Sequence, residues 1–386
     1  WIAAATSEVE GMVTAGGRNF YGGILARDSF NGLRLWNRDL RKGDVVNPED
    51  FDLPRISGGA RPVASDRLVF TKLKNQAVAL DAATGEVVVE LSDMQQPTNL
   101  IFDGTRVIAT DSSSVRCFDV ESGKQIWNIP AADPRYLVAD GKVVSFVLGN
   151  IRRGDKAEVA TLDATTGNEK WKREDYAWLA RTTRLVLGFG QLVFEVSTLT
   201  DHDADNGIHV VSAETGKHGW SKNYPPGMNH ARQARAMFIA EDLWILHGGK
   251  TNTNDKEKRK REPVQISALD PLTGEIRKTL PAGLTHCFPP VATPNFMFAG
   301  ELDMTDLKSG KVIANRITKA NCSRENGWIP ANGLVYTTPK HCTCWPMLRG
   351  FVAMAPTLGK DSPANLPPEK IEFLLEKGSA KADPNA

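Results

Sequence analysis

The stretch FDVESGKQIW, from Phe118 to Trp127, decides the fold. It opens with an apolar residue and an aspartate, closes a turn with serine and glycine, and runs out to a tryptophan. Asp accepts hydrogen bonds from backbone amides two and three residues on. Ser or Thr supports the same turn, and Gly supplies the positive φ that other residues resist. The stretch therefore reads as a hairpin tip with its outgoing strand. Trp127 lies four residues past Gly123, an even offset that fixes it on one face of that strand.

The same phrase returns along the chain. It reads ARDSFNGLRLW ending at Trp36, LDAATGEVVV from Leu80, LDATTGNEKW ending at Trp171, and VSAETGKHGW ending at Trp220. LDPLTGEIRK from Leu269, TDLKSGKVI from Thr305 and a degraded MAPTLGK from Met354 complete the series. The phrase glycines fall at 32, 85, 123, 167, 216, 274, 310 and 359, with gaps of 36 to 58 residues. Further strand pairs lie between the phrases, split by Asp103-Gly104, Asp140-Gly141 and Asn332-Gly333.

Each unit thus holds four short antiparallel strands, and a unit of this length is a propeller blade. The expected fold is all-β: an eight-bladed β-propeller with four antiparallel strands per blade. Seven blades are the alternative, because MAPTLGK is a poor copy. Residues 1–359 are expected to form this single domain, with residues 1–6 closing the last blade, since closure removes two open sheet edges. Residues 360–386 read as a linker or docking tail. There Pro367-Pro368 opens a short helix with Ile371, Phe373, Leu374 and Leu375 as its apolar residues.

Composition narrows the function classes. The 386 residues include 47 Lys+Arg against 46 Asp+Glu, for a net charge of +1, so nothing draws the chain to nucleic acid. With 41% hydrophobic and 24% charged residues, a fibrous or disordered chain is excluded. The longest apolar stretch, Leu185 to Val196, is interrupted by two glycines and is too short to span a bilayer.

Of the five cysteines, Cys117 lies in a strand and reads as a buried, unpaired core thiol. Cys287, Cys322, Cys342 and Cys344 cluster toward the C-terminus. That clustering points to two disulfides and an oxidising, extracytoplasmic compartment, periplasmic or secreted. Three pairings are open. The alternative is a thiolate–imidazole metal site for zinc or copper that adds His286 and His341.

Other segments carry weaker chemistry. Asp201, Asp203 and Asp205 alternate ahead of Gly207 as calcium-loop carboxylates do. Gly207 comes one place later than an EF-hand requires, and Ser212 stands where that loop has Glu, so a solvated hairpin loop is the competing reading. The mixed-charge run Asn254 to Glu262 reads as an exposed hairpin tip or a docking loop. His230 and Arg152-Arg153 are candidates for the central funnel. No G-x-S-x-G, H-E-x-x-H or P-loop pattern occurs.

The repeated LDAxTGxxxW phrase resembles the tryptophan-docking repeats of quinoprotein-type propellers, found in PQQ-dependent alcohol dehydrogenases and in BamB-like outer-membrane assembly factors. The resemblance runs from about Ala26 to Gly359. The closing segment IPANGLVYTTPKHCTCW resembles the module end of bacterial extracytoplasmic PQQ-like repeat proteins without assigned activity. The dehydrogenases clamp PQQ with adjacent cysteines, and this sequence has no Cys-Cys pair, so PQQ is not expected. The lipid-bearing N-terminal cysteine of the BamB-like factors has no counterpart at Trp1.

The resemblance implies a non-catalytic binding or scaffold module of a larger extracytoplasmic assembly, with a protein or carbohydrate partner. The alternative is a propeller enzyme with a funnel site: a quinone- or copper-dependent oxidoreductase, or a polysaccharide-cleaving enzyme.

Overall fold

The computed structural model describes residues 1–3, 11–38, 60–149, 156–196, 207–224, 234–250, 261–283, 290–299, 302–315, 328–338, 348 and 350–356. Their strands form eight antiparallel sheets of four strands each, so the eight-bladed count holds. Among these residues the only helical element is a single 3-10 turn, Leu179–Arg181. No helix among them is long and apolar enough to cross a membrane.

Blade 1 runs Met12–Ala15, Arg18–Tyr21, Leu25–Asp28 and Arg34–Asn37, in sheet order. Blades 2 to 7 repeat that order. Blade 8 takes three strands from the end of the chain, Ile329–Ala331, Leu334–Thr337 and Phe351–Met354. Its fourth is Ile2–Ala3, paired antiparallel as Ile2↔Val352 and Ala3↔Phe351. Both ends of the described chain therefore meet in one sheet.

The repeated phrase builds the same device each time. In blade 4, Asp163 Oδ1 accepts from Thr165 N at 3.0 Å and Thr166 N at 2.9 Å, and Gly167 N donates to Asp163 O at 2.9 Å. Gly167 then turns at φ +74°. A strand bulge sits just before the phrase, at Thr161/Leu162 in blade 4 and at the matching step in blades 1, 2, 3, 5 and 6. It re-aims the chain into the turn. The residue after the phrase acid ties this turn to the first hairpin of its blade, as with Ala164 N to Lys142 O at 2.9 Å.

Blades lock to one another through the tryptophans. The Trp127 ring covers Gly167 of the next blade, where an added Cβ would lie 2.8 Å from the indole. Its Nε1 donates to Ala164 O at 3.1 Å. Trp36 repeats this on Gly85 and Ala82, Trp171 on Gly216 and Ala213, and Trp220 on Gly274 and Pro271. Trp1 does the same at the seam between blades 8 and 1: its ring covers Gly32 and its Nε1 donates to Ser29 O at 3.0 Å. Glycine is required at these seats twice over, by the positive φ and by the ring above it.

The core is likewise distributed. Each seam has its own apolar cluster, such as Ile108, Trp127, Phe146 and Leu162 between blades 3 and 4. The cluster between blades 7 and 8 is small, with Phe298, Leu302 and Trp328 as its buried members.

Candidate functional site at the loop end of the ring

In an antiparallel four-stranded blade, two kinds of connection share one end. They are the loop from second to third strand and the crossover from fourth strand to the next blade. The phrase turns and first hairpins occupy the opposite end. Every chemistry-bearing segment singled out in the sequence is a connection of the first two kinds. Residues 197–206, with Asp201, Asp203 and Asp205, join the second and third strands of blade 5. His286 and Cys287 precede blade 7, Cys322 precedes blade 8, and His341, Cys342 and Cys344 lie between its strands Leu334–Thr337 and Phe351–Met354. All of these residues lie outside the described ones, as do Arg152, Arg153, His230, residues 254–260, Gly359 and the tail 360–386.

Among the described residues, the loop end of blades 4 to 6 is where polar and aromatic groups gather. Glu195, on a strand that otherwise reads QLVFV, is fully buried. Its carboxylate accepts from Arg184 Nη1 at 3.1 Å, Arg235 Nη1 at 2.9 Å and the backbone N of Ala236 at 2.8 Å. Arg184 and Arg235 stand on the innermost strands of blades 5 and 6. Removing one partner of such a buried pair exposes a large desolvation penalty, so the cluster pins two blades together beside the axis. The Arg184 side chain remains 40% exposed and carries positive charge to that mouth.

The crossover from blade 4 to blade 5 carries an aromatic stack. Trp178 lies between Tyr176, at 5.0 Å and 10° between planes, and His209, at 4.3 Å and 20°. The Arg173 guanidinium caps the outer face of Tyr176 at 4.9 Å, and Tyr176 Oη donates to Gly216 O at 2.6 Å. Burial holds the His218 imidazole, which faces both Tyr176 and His209, below its ordinary value.

A third group lies at the seam of blades 5 and 6. His247 Nε2 and Ser267 Oγ are 2.9 Å apart, Ser267 Oγ and Thr279 Oγ1 are 3.0 Å apart, and the Tyr224 ring lies 5.0 Å from His247. Burial and the nearby Lys222 charge lower His247, and burial pushes the Tyr224 phenol up to about 12. Ser267 is 2% exposed, so in this geometry its hydroxyl is not open to solvent as a nucleophile's would be. No group of three or more His, Cys, Asp or Glu side chains placed to hold a metal occurs among the described residues.

Glu195 and Trp178 were not singled out from the sequence. A carboxylate inside an otherwise apolar strand, and two aromatics in the crossover DYAW, were the available signals. Cys117 is where its strand suggested: buried and unpaired, with its thiol pushed up to about 12 by burial.

The fold has known counterparts. A computationally designed protein, Ika8, matches with a TM-score of 0.60 at 12% identity, over 92% of this chain and 98% of its own. BamB from Moraxella catarrhalis matches at 0.50 and 15% identity, over 92% and 96%. Quinohemoprotein alcohol dehydrogenase from Comamonas testosteroni matches at 0.54 and 14% identity, over 87% and 72%. These likenesses establish a shared fold. A comparison with curated protein sequences finds no match. The family model described as outer membrane protein assembly factor BamB matches residues 21–177 and 111–286, and the chain belongs to that family.

Proposed function

We propose that the chain is a non-catalytic binding module, presenting the loop end of its ring to a protein partner within an assembly outside the cytoplasm. One observation carries this reading. Polar groups at the described part of that end brace the blades, as Glu195 does by accepting from Arg184, Arg235 and the backbone of Ala236. Such a surface is preorganised for recognition, with half-exposed Arg184 and the Arg173-capped Tyr176 as anchors of the kinds enriched in interface hot spots. The family's description as an assembly factor supports a protein partner. The same reading includes disulfides among Cys287, Cys322, Cys342 and Cys344. A calcium ion at Asp201, Asp203 and Asp205 is a lesser element of it, and a carbohydrate is the alternative ligand.

The test is affinity purification from the native source with the wild-type chain and with the double variant Arg184→Ala, Tyr176→Ala. Stoichiometric recovery of one protein with wild type, lost with the variant, supports the reading. A partner-free wild type that turns over a defined substrate overturns it. The competing reading, a quinone- or copper-dependent oxidoreductase, draws on the fold shared with the Comamonas enzyme. An absorption spectrum with metal analysis separates the two: a bound chromophore or stoichiometric copper favours the enzyme.

A further inference from the structure

The innermost strands of blades 4, 5 and 6 are Arg135–Ala139, Thr182–Gly188 and Arg235–Ile239. Each carries an arginine at the same step. Arg135 pairs with Val147, Arg184 with Glu195 and Arg235 with Leu246. Those partners lie three residues beyond Val144, Leu192 and Leu243, which pair with the apolar residue opening each phrase: Leu162, Val211 and Leu269. The register is therefore the same in all three blades, and three guanidinium stems rise from one ring position at the loop end.

The fold does not ask for a cation there. Blade 3 has Asn99 at that step, paired with Thr110. Blade 1 has Gly11, whose carbonyl accepts from Gly22 N at 2.7 Å. The whole chain has a net charge of only +1, so three arginines on consecutive strands are a local arrangement, and their mutual repulsion costs stability.

Two carboxylates answer the three guanidiniums. Glu195 Oε2 accepts from Arg235 at 2.9 Å, while Oε1 is shared between Arg184 at 3.1 Å and the Ala236 amide at 2.8 Å. Arg184 makes both of its hydrogen bonds, to Glu195 and to Ala236 O at 3.3 Å, through Nη1. Its Nε and Nη2 are left as donors on a side chain that is 40% exposed. Arg135 reaches Asp133 through Nε and Nη2, leaving Nη1, and this solvent-facing pair is one that a competing carboxylate displaces at little cost. Arg235, the most enclosed of the three, holds Glu195 in place behind them.

The spacing fits a particular ligand. The inner strands of blades 4 and 5, and those of blades 5 and 6, approach within 8 Å of each other, Cα to Cα. Alternate side chains on one face of an extended chain lie about 6.8 Å apart. A guanidinium fork takes a carboxylate through two parallel N–H···O bonds, which a lysine cannot do. We infer that Arg135 and Arg184, backed by Arg235, receive an extended acidic segment of the protein partner, with Asp or Glu at alternate positions, laid across the mouth from blade 4 toward blade 6. This rests on the binding-module reading and supplies the chemistry of its partner. Nucleic acid would need a basic excess that the chain lacks.

The experiment measures, by fluorescence anisotropy, binding of a fluorescein-labelled peptide of alternating Glu and Ser to the full chain. A Lys-Ser peptide and an oligo(dT) strand of similar length are the comparators. Wild type is expected to bind the Glu-Ser peptide, more weakly as salt rises from about 0.01 to 0.15 M. Arg135→Gln and Arg184→Gln are each expected to weaken binding about 5- to 10-fold, the loss of one charged donor group. Lys170→Gln removes the same charge from an exposed pair with Glu214 at the phrase-turn end and is expected to change nothing. Arg184→Gln strips a bond from buried Glu195, so Arg135→Gln, which breaks only the solvent-facing pair, carries the result if the other fails to fold. No binding of the Glu-Ser peptide by wild type, equal binding of a comparator, or a loss in Lys170→Gln matching that in Arg135→Gln would each overturn the inference. The binding-module reading fails on a different result, a partner-free chain with turnover. A native partner recovered equally well by Arg135→Gln would leave that reading standing and remove the acidic segment.

Discussion

Lys278 Nζ donates to Leu307 O at 2.7 Å and to Lys308 O at 3.0 Å. Leu307 follows the phrase acid Asp306, so its carbonyl is the one that indoles seek at the tryptophan seams. Lys278 itself lies four residues past Gly274, the tryptophan position. At the seam of blades 6 and 7 an ammonium thus replaces an indole N–H, and Leu280 supplies the apolar cover over Gly310. One hydrogen-bonding rule survives a complete change of side chain.

That substitution predicts unequal seams. Lys278→Met keeps the stem's packing and removes both donors, so it should cost about 1–2 kcal/mol, the range for charged donors to carbonyls, lowered by partial exposure. Trp171→Ala removes a nearly buried ring as well as its bond to Ala213 O, and should cost about 3–5 kcal/mol. Thermal unfolding midpoints of the two variants give the comparison. Equal losses would show that the indole's packing contributes little.

Glycine seats offer the converse test. Gly167→Ala introduces a Cβ 2.8 Å from the Trp127 ring at a residue with φ +74°. Gly104→Ala meets nothing within 4 Å at φ +103°. Both pay the left-handed conformational penalty, of order 1 kcal/mol; the first also displaces the indole and should be destabilised by about 2 kcal/mol more. Trp127 fluorescence is expected to shift to longer wavelength in Gly167→Ala alone.

The phrase acids give a pH dependence of known sign. Backbone amides of the turn, those of Thr84 and Thr273 first among them, hold Asp81 and Asp270 below the ordinary carboxylate value. For Asp163 and Asp306 the leading causes are the amides of Thr166 and Ser309. A carboxylate lowered in the folded state contributes stability that is complete above its unfolded pKa, about 3.9, and is lost as pH falls through the folded value. Thermal midpoints should therefore fall together below about pH 4 and be flat near neutrality. In Asp163→Ala the acid limb should be shallower, and an unchanged limb would show that these turns do not govern acid unfolding.

Blade number was legible because a hairpin's requirements are local: Asp, Thr or Ser, and Gly must sit at fixed offsets whatever the rest of the chain does. The seat of each tryptophan followed from strand alternation. The Glu195 cluster was not legible, since Arg184 and Arg235 lie 51 residues apart in sequence and meet only because inner strands of successive blades are neighbours. Nor was the common seat of Arg135, Arg184 and Arg235 legible until the strand register set each at the same step of its blade. Local chemistry reads from one phrase; chemistry assembled across a seam needs the pairing.

Thiol labelling tests the compartment reading. Cys117 is fully buried and burial raises its thiol to about 12, so at pH 8 the reactive thiolate is scarce and its surroundings shield it from the reagent. If Cys287, Cys322, Cys342 and Cys344 form the two proposed disulfides, native protein without reductant takes up no iodoacetamide. Denaturation without reductant should then add one carbamidomethyl group, at Cys117, and denaturation with reductant five, matching the five cysteines of the sequence. Intact mass reads each step. Uptake of four groups by the native, unreduced protein would mean free thiols at the loop end, and would remove the argument for an oxidising compartment along with the disulfides.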